Sequence, residues 1–142
     1  MSDEYTSFLD LNLSDVPEPR IVDGGREYKL KIENVEIKES RGEKTAGQKM
    51  LSIRLSIVDE PDTQGVFENI MLPSDQMDDD QNNQRRRQLK RLVEAIGWDA
   101  SRGFNIDELV GQTFWAVLDA EESDQYGKQN RVKRYMAPQS ES

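Results

Sequence analysis

Four cations and two aromatic rings fall within ten consecutive residues, Tyr126-Gly127-Lys128-Gln129-Asn130-Arg131-Val132-Lys133-Arg134-Tyr135, and no acid interrupts them. Ammonium and guanidinium groups neutralise phosphates, and ring faces stack on unpaired bases. Cations and rings on a projecting two-stranded turn therefore suit single-stranded nucleic acid. If residues 131–136 form a strand, period-two alternation puts Arg131, Lys133 and Tyr135 on one face and Val132, Arg134 and Met136 on the other. The first face is the preferred binding surface. Lys128 and Arg134 add charge, and Tyr126 at the loop tip adds a ring. A solvated edge strand, blunted with charge against aggregation, is the competing reading.

Other residues carry compatible chemistry. Arg54, with Ser52 and Ser56, points away from Leu51, Ile53, Leu55 and Ile57 on a strongly alternating segment, and Lys29 and Lys31 do the same opposite Leu30 and Ile32. Phe67 shares a strand face with Asn69 and Met71, either as a stacking platform or as a core aromatic. Trp115 is out of phase with Phe114, Ala116 and Leu118, so it belongs on the outer face as a second candidate stacker. Trp98 reads as a cap on the core. The run Arg85-Arg86-Arg87 with Lys90 and Arg91 reads first as a solvated helix face, since helical spacing spreads it around the cylinder.

Enzyme chemistry finds little support. The sequence has neither cysteine nor histidine, which removes thiolate sites and the commonest general base and metal ligand. Gly42 to Lys49 resembles a phosphate loop only superficially: Gly47 is followed by Gln48, and a strand rather than a helix comes next. Asp78-Asp79-Asp80 suit a hard cation, but they also suit the positive N-terminus of a helix. No catalytic residue, metal or cofactor is assigned.

These candidates must be positioned by a small set of elements. Tyr28, Leu30 and Ile32 alternate with polar residues, and the apolar phase then shifts to Val35 and Ile37. Such a slip marks a β-bulge within a first strand. Residues 51–57 form a second strand and 66–72 a third. A helix over roughly 82–96 has Leu89, Leu92, Val93 and Ile96 on one face, and Gly97 suits its C′ position. A short turn follows at Asp107 to Leu109. Phe114 to Asp119 reads as a fourth strand and Arg131 to Met136 as a fifth. Residues 1–25 read as an arm, in which the alternating Leu9, Leu11 and Leu13 make a short strand or extended segment docking on the core. Residues 26–138 form one domain, and 139–142 are expected to be disordered.

The order strand, strand, strand, helix, strand, strand is that of the OB-fold. The expected class is therefore mainly β: a five-stranded barrel with one helix between strands 3 and 4, preceded by the arm. This fold binds oligonucleotides across strands 2 and 3, with the loops between strands 1 and 2 and between strands 4 and 5 closing over the ligand. Those loops are expected near 40–48 and 122–130.

A set of spacings also looks familiar. It comprises Gly24-Gly25-Arg26-Glu27-Tyr28, Met50-Leu51-Ser52-Ile53, the Arg87-to-Gly97 helix, Leu109-Val110-Gly111-Gln112-Thr113 and Tyr126-Gly127-Lys128. Over residues 8–136 the pattern resembles bacteriophage single-stranded DNA-binding proteins of the OB-fold type. The resemblance implies sequence-tolerant coating of single strands in phage replication, recombination or repair. Phage or host replication and recombination proteins are the expected partners, the expected location is the cytoplasm (that of the host cell if the protein is phage-encoded), and the oligomeric state stays open. Many such proteins end in an acidic tail that recruits partners, whereas Pro138-Gln139-Ser140-Glu141-Ser142 holds one acid.

Bulk composition allows this reading without favouring it. The 142 residues suit one domain with a real core, and no apolar run approaches the ~20 residues of a membrane span. The net charge of -9 opposes phosphate binding, but the charge comes in blocks. Residues 85–103 are net +4 and 125–142 net +3, against -6 for each of 61–84 and 104–124. Two other functions stay open: an acidic protein-interaction module or DNA mimic, and an OB-fold module that binds RNA.

Overall fold

The computed structural model describes residues 8–17, 20–124 and 127–138. Five strands follow in order: β1 (Arg26–Glu39), β2 (Lys49–Ile57), β3 (Val66–Met71), β4 (Thr113–Ser123) and β5 (Gly127–Tyr135). One helix, α1 (Asp79–Ile96), separates β3 from β4, and a 3-10 turn covers Ile106–Leu109. All neighbouring strands are antiparallel, in the order β3-β2-β1-β4-β5. The sheet curls into a nearly closed, OB-like barrel.

The bulge in β1 is what lets one strand serve two neighbours. Ile32 pairs with Leu55 and Asn34 with Arg54, leaving Glu33 as the extra residue. Before it, Arg26 to Lys31 pair with β4; after it, β1 continues along β2 as far as Glu39. An extra residue bends a strand and increases its twist. Ile32 and Val35 can then both face inward although three positions separate them. The core contains Leu30, Ile32, Leu51, Ile53, Leu55, Val66, Ile70 and Leu118, all almost fully buried. At the start of β1 the chain presses on β4: a Cβ added to Gly24 would lie 2.7 Å from the Ala120 nitrogen.

The helix begins earlier than its apolar face indicates. Asp78 is the N-cap; its carboxylate accepts from the Gln81 N–H, and the Gln81 side chain accepts from the Asp78 N–H. This reciprocal box satisfies two otherwise orphaned donors. Gly97, at φ 97°, ends the helix in the left-handed conformation. Leu92, Val93 and Ala95 are buried, and α1 lies against β3, β4 and β5. Trp98 packs on the core as expected, 5.7 Å from the Phe104 ring and beneath the Arg102 guanidinium.

The arm docks differently from its alternating pattern. Leu9, Leu11 and Leu13 form no strand and are 64–71% exposed. Ser14 N–H donates to the Asn12 side chain and Val16 N–H to the Leu13 carbonyl, so local turns replace an extended run. Attachment comes later, at residues 20–22. Arg20 bridges to Thr63 and its guanidinium grips Asp62 and Glu60. Val22 enters the core, and its N–H and carbonyl are both bonded to the buried Asn130 amide. The expected tail at 139–142 lies outside the described residues.

Candidate nucleic-acid interface

The outward faces of β2 and β3 carry the most open chemistry. Register places Arg54 directly opposite Phe67 and Ser52 opposite Asn69. Phe67 is 56% exposed, an unusual position for a large ring, since lone aromatics on strands normally bury their faces. The Arg54 guanidinium makes no ion pair or hydrogen bond among the described residues. Gln64 and Gly65, where the chain enters β3, continue the same surface. Across from them stand Gln129, Asn130 and Arg131 of β5, and the two banks enclose a groove of about 340 Å³. Ring, guanidinium and amide groups thus share one cleft, the combination that meets a base face, a phosphate and base edges. No residue of the 40–48 loop lines it. That loop folds on itself through Ser40 and Thr45, and Gln48 reaches back to Gln76.

β5 departs from simple alternation. Val132 pairs with Leu118 and Arg134 with Val117, so Lys133 is an extra residue in a second bulge. Val132 and Tyr135 therefore both turn inward and pack on the core. The expected face of Arg131, Lys133 and Tyr135 does not exist: Tyr135 lies on the other side. Its ring sits 5.6 Å from Phe114, and its hydroxyl donates to Glu68 at 2.9 Å. The ring is committed to the core rather than open for stacking. Burial, and then the Glu68 charge, push the Tyr135 hydroxyl well above its ordinary pKa. Burial likewise raises the Glu68 carboxyl, the Tyr135 hydrogen bond opposing it only in part.

The hairpin is also less positive than its second strand. It extends to Ser123 and from Gly127, well beyond the residues with a core face. The ladder sets Asp119 opposite Arg131, Glu121 opposite Gln129 and Glu122 opposite Lys128. Arg131 lies 3.3 Å from Glu121, and Lys133 lies 4.0 Å from Asp119. These acids were visible in the sequence; only the register reveals that they oppose the cations. Tyr126, at the tip, lies outside the described residues.

The remaining candidates occupy a different flank. Lys29 is paired opposite Trp115, which is half-buried, and Lys31 opposite Thr113 on one side and Ser56 on the other. They form an outer patch on β1 and β4, and none of the three lines the Phe67 groove. Of the expected residues, that groove unites Phe67 and Arg131, with Arg54 beside Phe67 on its rim. Sequence reading missed Gln64, Asn69 and Gln129, whose polar side chains carry no signal until strand pairing assembles them.

Five antiparallel strands in a nearly closed barrel, with a helix between the third and fourth, define an OB-like barrel protein. The chain belongs to a family described as a protein of unknown function (DUF669), whose model matches residues 10–141. A search of curated proteins finds no match. Among the described residues, no helix is long and apolar enough to cross a membrane.

Proposed function

We propose that this protein binds single-stranded DNA without catalysis and with little sequence preference. The observation that carries the proposal is the exposed Phe67 ring beside the unpaired Arg54, in a groove whose far bank holds Arg131. Phe67 stacks on a base, Arg54 and Arg131 take phosphates, and Asn69 and Gln129 meet base edges adaptably. The fold supports this reading, because OB barrels bind oligonucleotides on this surface. The resemblance to phage proteins supports a role in replication, recombination or repair within a host cell.

Fluorescence anisotropy with labelled oligo-dT tests the proposal. Affinity is expected to fall with salt, with a slope near -0.7 per phosphate contact, and duplex of equal length should bind more weakly because its bases are already stacked. Equal affinity for duplex and oligo-dT would sink it. Preference for oligo-U would move the function to RNA. Indifference to all oligonucleotides would favour the acidic-partner reading, which the Asp119, Glu121 and Glu122 row supports.

A further inference from the structure

A second groove runs between α1 and β5. Its volume is about 600 Å³, and its lining includes Arg87 and Arg91 from the helix with Lys133 and Arg134 from the strand. Arg87 and Arg91 are four residues apart, so they project from the same side of α1. In the β5 bulge Lys133 is the extra residue, next to Arg134, which pairs with Val117. Gln84 and Gln88 add neutral donors from the same helix face.

The charge balance of this groove is unlike that of the hairpin. Arg87, Arg91 and Arg134 pair with no acid among the described residues. Lys133 has only the distant Asp119. The one carboxylate in the lining, Glu68, is engaged by the Tyr135 hydroxyl, and burial disfavours its charged form. Four cations held around one cleft repel each other, and Glu68 and the distant Asp119 offset that repulsion only in part. An extended polyanion would relieve it.

The two grooves share a wall. Residues 129–131 of β5 line the Phe67 groove and 132–135 line the second. At ~3.3 Å per residue β5 runs roughly 16 Å from residue 129 to 134, so the two grooves follow one another along the strand. The second groove offers charge but no exposed ring, Tyr135 being turned into the core.

We propose that the α1–β5 groove is a phosphate track that receives the single strand as it leaves the Phe67 groove and adds purely ionic affinity for longer oligonucleotides. This rests on the function proposed above. The test uses oligo-dT at both ends of the ~4–16 nucleotide range of one OB fold, titrated by anisotropy at several salt concentrations. The double variant Arg87→Gln/Arg91→Gln is expected to keep wild-type affinity for the short oligonucleotide and to lose affinity for the long one. Its salt slope on the long oligonucleotide should become shallower by about 1.4, the loss of two phosphate contacts. Arg134→Gln, on the opposite wall, should lower the slope by about half as much, which guards against an effect confined to the helix. Unchanged slope and length dependence in both variants overturn the track. Equal losses on short and long oligonucleotides also overturn it, because they would put the arginines inside the first site. Phe67→Ala reads the first groove alone: if it weakens both lengths while the arginine variants change nothing, the Phe67 site stands and only the track falls.

Discussion

Tyr135 and Glu68 join the two edge strands of the barrel: the phenol of β5 donates to the carboxylate of β3 at 2.9 Å, where no backbone ladder links the two. Removing the phenol leaves a partly buried carboxylate without its donor. Tyr135→Phe is therefore expected to cost about 1–3 kcal/mol, read as a shift in the urea midpoint with an unchanged m-value. A variant as stable as the parent would show that the seam is held by packing alone.

The same pair gives a pH dependence of defined sign. Burial raises the Glu68 pKa above 4.5 in the folded state, so between those values the folded chain holds a proton that the unfolded chain has released. This residue's contribution to stability is full below pH 4.5 and declines as pH rises through its folded pKa. Glu68→Gln cannot titrate and keeps an acceptor for Tyr135. The stability of the parent relative to this variant should fall from pH 4.5 towards neutrality in paired denaturant melts. A relative rise over that interval would contradict the assignment.

Phe67 separates binding from folding. Its ring is mostly in solvent, so Phe67→Ala should change stability by no more than about 0.5 kcal/mol. Loss of one stacking partner should weaken oligo-dT binding by about 1–3 kcal/mol. Phe67→Trp, which keeps a π-face, should restore most of the affinity. A large stability loss in the alanine variant would mean that the ring is structural.

Asn130 ties the arm to the barrel. It accepts from the Val22 N–H at 2.9 Å and donates to the Val22 carbonyl at 2.9 Å and the Asp119 carbonyl at 3.2 Å. Asn130→Ala strands these groups and is expected to cost about 1–3 kcal/mol. Trypsin should then cut after Arg20 faster than in the parent, since the segment loses its anchor while the Arg20 grip on Asp62 and Glu60 stays exposed and weak. An unchanged cleavage rate would assign the anchoring to Val22 packing instead.

Much of the barrel was legible because burial imposes a period. β2 alternates cleanly, and in β1 the step from Ile32 to Val35 announces a bulge because long runs flank it on both sides. β5 contains the same signature in Val132 and Tyr135, three positions apart. There the flanking sequence is hydrophilic and the step passes for ordinary alternation, which is why Tyr135 was expected outside. Segments without a buried face gave no period to read. The hairpin beyond Asp119 and the first turn of α1 were missed for that reason. Leu9, Leu11 and Leu13 had the period but no sheet to pair with. For the site, residue type pointed to Phe67 and Arg54, while the groove's far bank and the acids beside the hairpin cations depend on register.

The missing ladder between β3 and β5 has a mechanical consequence. Edge strands open at lower free energy than those paired on both sides, so amide exchange should run fastest along this slit. Both grooves straddle it. Any chain lying there would span the line along which the molecule yields most readily, and gripping the ligand would also splint the barrel.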